Sequence, residues 1–377
     1  NTESFLHRLS FEAQPRLLQQ RRLTGNGIEG TAGSTRGSEL YVRSHLRLHA
    51  DLNERWFAEA SHRRSEDFDG RYDTLLTGAG VRHHKWQAAL LADVEGAKEN
   101  IDMHLRLGWQ ASDDQLLRLS IVGSDVPFND KQSSATYDRQ PYTAHLYGAM
   151  QPWEALQVRG FLNLNMPMRL DHPDSGMRSE DEGIAAGISA HLSLGDQWHM
   201  AMSLEGRYRL RHSWLDDIPD DPMDTQFPEQ RLRRNNLVAK GEVGTQHHDG
   251  SQSWMGMRAF YLKETDRRPS DDSGAEHINR REYTIYAGHR RHIHGHWHAA
   301  PSIFLARHDI EIDRPHVDPD DDDREVYERD VGFYGKFSPT LEYRVLADRQ
   351  GVISLIPHFR LHRAAFGGGN VQVFLPF

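Results

Sequence analysis

The chain reads as all-β: a transmembrane antiparallel up-and-down β-barrel of about 18 strands, with 16 as the alternative count. Three observations predict this. Apolar and polar residues alternate over stretch after stretch, short and long polar connections take turns along the chain, and seven of the eight tryptophans sit beside the short ones.

The alternation is clearest where Leu40, Val42, Leu46, Leu48 and Ala50 share one face and Arg43, His45, Arg47 and His49 share the other. Side chains on a strand point to opposite sides at successive residues, so a period of two means one greasy face and one wet face. The pattern returns in Ile101, Met103, Leu105, Leu107 and Trp109, in Ile184 to Leu194, and in Trp198 to Leu210. The mean hydropathy of -0.73 and net charge of -10 describe a water-loving chain on average. That average is misleading for a barrel, where only every second strand residue meets lipid. No run of about 18 apolar residues offers a transmembrane helix.

The connections come next. Tight turns near 52, 84, 113, 152, 196, 249, 294 and 349 interleave with longer polar segments near 68, 97, 132, 174, 220, 271, 319 and 366. Short turns on one rim and long loops on the other match the periplasmic and extracellular ends of an outer-membrane barrel. Eight short turns join sixteen strands. A strand within Phe5 to Ala13 and a closing strand from Val371 to Phe377 bring the count to about 18. Arg16 to Arg22 fits a short helix or part of a strand. The expectation is a single domain, residues 1–377, the C-terminal part of a longer protein being an open alternative, because a closed sheet cannot be cut without exposing edges.

The tryptophans mark one rim. Trp56, Trp86, Trp109, Trp153, Trp198, Trp254 and Trp297 keep a short distance from successive tight turns, as an amphipathic ring does at a membrane interface, and are assigned to a girdle. The chain has no cysteine, which excludes disulfides and thiol chemistry and suits passage through an oxidising periplasm. A soluble sandwich or propeller also alternates, but its buried faces need more large aliphatics than these Ala- and Gly-containing faces supply.

If the apolar faces meet lipid, their opposites line a lumen. Arg43, His45, Arg47, Arg82, Arg106, Arg159, Arg207, Arg209, Arg258, Arg344 and Arg360 are the candidate substrate-binding residues. Fewer acids share that face: Glu59, Asp93, Asp102, Glu205, Glu242, Glu282 and Glu342. A basic wall focuses positive potential on the pore and favours anionic or hydroxyl-rich solutes. Cross-strand pairing of these cations with the acids is the competing reading.

Acidic segments at Ser65–Asp69, Asp216–Asp221 and Asp318–Asp323 read as solvated outer loops without Ca²⁺-loop spacing. His292, His294, His296 and His298 alternate, but Gly295 breaks that strand into a turn, so neither a metal nor a cofactor is implied. There is no G-x-S-x-G nucleophile motif. Gly367 to Gly369 lacks a following helix and a Lys-Ser/Thr pair, and reads as a flexible loop before the last strand. No feature points to nucleic acid.

The last strand, Val371-Gln372-Val373-Phe374-Leu375-Pro376-Phe377, resembles the closing strand of bacterial outer-membrane proteins, which ends in Phe. That resemblance implies recognition by the barrel-assembly machinery and residence in the outer membrane among its lipids and lipopolysaccharide. A second set of words is Arg55-Trp56-Phe57, Phe68-Asp69-Gly70-Arg71, Gly78-Ala79-Gly80-Val81 and Gly123-Ser124-Asp125-Val126-Pro127. These resemble the C-terminal barrel of exopolysaccharide exporters of the poly-N-acetylglucosamine type, and imply a periplasmic repeat domain that feeds polymer into the pore. The later strands lack that family's aspartate-glycine-asparagine word, and a basic lumen suits an acidic or neutral polysaccharide better than a weakly cationic one. The expected function is therefore a polysaccharide export channel without enzymatic activity. The alternatives are a diffusion porin for small anions or sugars, and a hydrolase or surface receptor using the outer loops.

Overall fold

A computed structural model describes residues 26–35, 39–67, 70–94, 101–112, 115–126, 136–139, 142–172, 177–215, 229–267, 275–314, 326–346, 351–361 and 364–377. The strands are β1 (Gly27–Thr35), β2 (Glu39–Asp51), β3 (Trp56–Asp67), β4 (Gly70–His83), β5 (Trp86–Asp93), β6 (Ile101–Ser112), β7 (Gln115–Val126), β8 (Thr136–Arg139), β9 (Tyr142–Trp153), β10 (Leu156–His172), β11 (Met177–Leu194), β12 (Trp198–Leu215), β13 (Glu229–Gln246), β14 (Gln252–Arg267), β15 (Ala275–His294), β16 (Trp297–Arg314), β17 (Val326–Leu346), β18 (Gly351–Arg360) and β19 (Ala365–Pro376).

Every pairing is antiparallel and the sheet closes on itself, because β1 bonds to both β19 and β2. β7 pairs directly with β9, and β8 continues the line of β9 along β10 through Leu170↔Tyr137 and Asp171↔Thr136. β8 and β9 are thus two pieces of one interrupted strand, and the 19 segments form an 18-strand barrel. Closure leaves no unpaired edge, the condition for placing β-structure in hydrocarbon.

Two expectations change. The strand that closes the barrel from the N-terminal side is Gly27–Thr35, in register with Ala365–Pro376; Phe5–Ala13 and Arg16–Arg22 lie outside the described residues. Gly367 to Gly369 is not a loop but part of β19. A Cβ added at Gly369 would come within 2.9 Å of the Ile356 carbonyl oxygen, so the glycine there serves close strand approach.

The tight-turn rim has local causes. Asn53 Oδ1 accepts from the backbone N–H groups of Arg55 and Trp56, both at 2.9 Å, and pins the β2–β3 turn. Asp249 accepts from the backbone and hydroxyl of Ser251 at 2.9 and 2.6 Å, which holds its carboxyl below the usual carboxylate range. Gly295 has φ +54°, ends β15, and folds His292 back opposite His298 instead of letting the four imidazoles run along one strand. The turns near 113 and 349, and the acidic segments Asp216–Asp221 and Asp318–Asp323, fall largely or wholly outside the described residues.

The outer face is apolar from strand to strand. Leu48, Leu90, Leu105, Leu107, Ile188, Met202, Leu204, Met255, Met257, Ile285 and Leu305 are all exposed on it. The inner face carries the polar partners of the alternation, and several of its aromatic rings lie flat over glycines of the neighbouring strand. A Cβ at Gly80 would meet Phe57 at 2.2 Å, at Gly187 Phe161 at 2.5 Å, at Gly256 Tyr286 at 2.4 Å, and at Gly288 Trp254 at 2.2 Å. Glycine opposite an aromatic ring lets the ring hug the wall, and the two together recover packing that glycine alone loses in a strand.

Candidate channel lumen

Strand parity decides which side chains point away from the apolar exterior. On β2, Arg43, His45 and Arg47 point inward, opposite Val42 and Leu48. Arg82, Arg106, Arg159, Arg207, Arg209, Arg258, Arg344 and Arg360 take the inward parity of their own strands. They do not form one open basic wall, because most meet an acid or an amide.

On the β2–β12 side, Glu59 gathers three cationic or titratable groups: Arg106 hydrogen-bonds its Oε2, His49 lies at 3.3 Å and Arg47 at 3.9 Å. Arg106 on β6 reaches Glu59 on β3 across the two intervening strands, β4 and β5. Arg82 donates to Asp51 and to His49, each at 2.6 Å, and its guanidinium lies 4.8 Å from the Phe57 ring centre. His45 sits 3.0 Å from Glu29. Arg159 donates to Gln157 at 2.8 Å, and Arg209 and Arg211 both donate to Asp181. Arg207 donates to Glu205 at 2.7 Å, yet its side chain remains 62% exposed, so this cation stands in the open lumen.

The β13–β19 side is packed. Arg280 is 0% exposed; it donates at 2.7 Å to Glu282, which also accepts from Arg258 at 2.9 Å, while the Phe260 ring lies within 5.3 and 5.4 Å of the two guanidinium carbons. Tyr286 crosses the notch at Gly256 and donates to Glu242 at 2.8 Å; Arg290 donates to Glu342 at 2.7 Å. Lys336 rests 4.4 Å over the Phe304 ring, and Ser338 lies 2.8 Å from His358 Nδ1. Removing any one member of a buried carboxylate shared by two guanidiniums leaves a charge uncompensated away from water, so this wall depends on the set as a whole.

Between these walls lies a cavity of about 640 Å³. Its lining includes Trp254, Phe304, Ser302, Ser338, Thr340 and Gln372, with Arg43, His45, Lys336 and Glu342 among its charged or titratable groups. Aromatic faces and hydroxyl or amide partners converge there.

Trp254 is the one correction to the tryptophan set. Trp56, Trp86, Trp153, Trp198 and Trp297 are exposed at the tight-turn ends of their strands, and Trp109 pairs in register with Trp86. Trp254 instead is 5% exposed, packs with Tyr286, Ala300 and Phe304, and faces the lumen. The signal was legible: it shares parity with Arg258 and is out of step with Met255 and Met257, whereas proximity to a turn misplaced it. Sequence reasoning also passed over a second aromatic line. Tyr261, Tyr283 and Phe333 are exposed on the outer face toward the long-loop end.

No protein-family model and no curated protein matches the chain. Among solved structures it is similar to OccAB3 of Acinetobacter baumannii, at 8% identity and a TM-score of 0.45, covering 93% of this chain and 99% of that one. It is similar also to OmpT, an outer membrane protein of Vibrio cholerae, in its in-vitro folded trimer form, at 9% identity and a TM-score of 0.42 over 92% and 97% of the two chains. A bacterial polysaccharide outer membrane secretin aligns at 10% identity and a TM-score of 0.38 over 94% and 100%. These likenesses carry no argument about a solute; the chain's own closed sheet, apolar exterior and polar interior make it a transmembrane β-barrel of the bacterial outer membrane.

Proposed function

We propose that the barrel is a non-catalytic channel for a hydroxyl-rich solute, most fittingly a neutral or acidic saccharide chain. The observation that supports this is the composition of the 640 Å³ cavity, where Trp254 and Phe304 stand among Ser302, Ser338, Thr340 and Gln372. Sugar rings offer C–H faces to aromatic rings and hydroxyls to polar side chains, and a few placed polar groups in an otherwise apolar lining fix orientation. The paired state of most lumen arginines favours many weak contacts over one tight one, and weak multi-site contact is what passage requires. The six outward tryptophans would anchor the tight-turn rim at the headgroups, and a periplasmic repeat domain delivering polymer would complete an exporter.

Single-channel recording in planar bilayers tests the reading. Purified protein should conduct, and a neutral oligosaccharide should interrupt the current, with Trp254→Ala weakening that block by about tenfold, the equivalent of ~1.4 kcal/mol. Absence of conductance would overturn the channel; conductance indifferent to oligosaccharide would overturn the saccharide.

A small-anion porin is the second reading, and the exposed Arg207 favours it. It requires anion preference that weakens in Arg→Glu variants at Arg43, Arg47, Arg207 and Arg209.

A further inference from the structure

The lipid-facing wall is not uniform around the barrel. On β13–β17 its loop end carries Arg233, Lys263, Arg281, Arg307 and Arg329, all exposed and all on the outward parity of their strands. The corresponding outward positions of β5 and β6 are Ala92, Val94, Met103 and Ile101. A cation on the lipid side is tolerated only near the interface, so these five must stand at headgroup level.

The spacing agrees. On β16 the outward run Trp297, Ala299, Pro301, Ile303, Leu305 precedes Arg307. Ten residues at ~3.3 Å each, tilted by about 40°, climb roughly 25 Å, the height of the apolar band. Tyr261, Tyr283 and Phe333 sit at the same boundary as Lys263, Arg281 and Arg307, two residues or one strand away. The Arg307 guanidinium carbon lies 5.9 Å from the Phe333 ring centre, which braces it outward instead of down into the acyl region.

Acids on this face are fewer. Glu229, Asp309, Glu311 and Asp313 are set against seven cations, the five above with Arg231 and Arg267, a surplus of three. Arg329 is spent on Asp309, donating at 3.1 and 2.9 Å. Arg281 is the register partner of Asp309 on the neighbouring strand, and Lys263 and Arg307 stand to either side of it along the face. Three long cations, whose nearest acid Asp309 is already hydrogen-bonded to Arg329, stand at the outer-leaflet headgroup level beside an aromatic line and form a surface for a phosphorylated amphiphile. The outer leaflet supplies one whose headgroup carries phosphates next to acyl chains.

We propose that Lys263, Arg281 and Arg307, flanked by Arg233, form a binding site for one lipopolysaccharide molecule on the outer wall of β13–β17. Its lipid A phosphates meet the cations and its acyl chains lie on Met255, Met257, Ile285 and Leu305. Contact is direct, by charge-assisted hydrogen bonds from guanidinium and ammonium to phosphate oxygen.

Native mass spectrometry of the detergent-solubilised barrel titrated with defined lipid A tests this. The wild-type protein should hold one diphosphorylated lipid A, bind the monophosphorylated form several-fold more weakly, and keep both in EDTA. The variant carrying Lys263→Gln, Arg281→Gln and Arg307→Gln should lose affinity about tenfold or more while its circular dichroism remains that of a barrel. If the triple variant does not fold, Arg281→Gln and Lys263→Gln singly must each weaken binding, and Arg307→Lys must weaken it less than Arg307→Gln. Equal binding of phosphorylated and dephosphorylated lipid, undiminished binding by the folded variants, or loss of binding in EDTA, which would mean bridging by divalent ions on carboxylates, each overturns the site.

Discussion

The lumen faces of β9–β12 and of β14–β18 draw on the same residue types, arginines, acids, histidines, serines and aromatics, and reach opposite states. Along β9–β12 the inward side chains stay accessible, with Asp181 and Ala201 the buried exceptions among the described residues, and Arg207 stands open to water. Along β14–β18 the middle band of inward side chains is largely buried, from Trp254 and Arg258 through Arg280, Glu282, Tyr286 and Phe304 to Lys336, Ser338, Ser354 and His358, while Asp330 and Arg344 toward the strand ends are exposed. The difference lies in what accompanies the charge. On the packed wall, aromatic rings occupy glycine notches and Glu282 is shared by Arg258 and Arg280, so charges support one another away from water. On the wet wall small residues such as Ala185, Ser189 and Ser203 leave room for solvent, which screens the charges individually.

The contrast can be broken most severely at Glu282. Glu282→Ala strands Arg258 and Arg280 in a buried place, and should cost about 3–5 kcal/mol, read as a shift in the urea midpoint of detergent-folded protein. A change at Arg207 of the wet wall should stay within ~0.5 kcal/mol. Next, Gly256→Ala should cost about 1–3 kcal/mol by overpacking against Tyr286, which it displaces from Glu242. Tyr286→Phe, which removes only the hydroxyl, should cost on the order of 1 kcal/mol and show by how much the bond to Glu242 contributes. The smallest effect belongs to the rim. Asp249 has its pKa lowered in the fold, so its contribution is present above the ordinary carboxylate value and fades as pH falls through the folded one. Asp249→Asn should therefore melt slightly below wild type at pH ~7 and level with it at pH ~2.

The architecture was legible because lipid imposes a strict rule on alternate residues. Leu46 and Arg47 cannot exchange faces without unfolding the wall, so parity alone carried the strand faces and closure. Connection lengths yielded the strand count. What could not be read was register between distant strands. Arg106 and Glu59 are 47 residues apart and meet across two intervening strands, a pairing that depends on register. That is why the lumen read as a basic wall when most of its cations have partners. Trp254 failed for a different reason: nearness to a turn was weighed above parity. Gly367 to Gly369 failed because glycine serves close backbone approach as well as flexibility, and a single sequence does not distinguish the two uses.

The absence of native cysteine makes one measurement unusually direct. Single cysteines placed at Ser203 on the wet wall, Ser338 on the packed wall and Met202 on the lipid face can be challenged with a water-soluble thiol reagent in liposomes. Labelling should be rapid at Ser203, slower by orders of magnitude at Ser338, and absent at Met202. Labelling of Met202 as fast as Ser203 would contradict the assignment of faces, and equal rates at Ser203 and Ser338 would contradict the division of the lumen into an open and a packed wall.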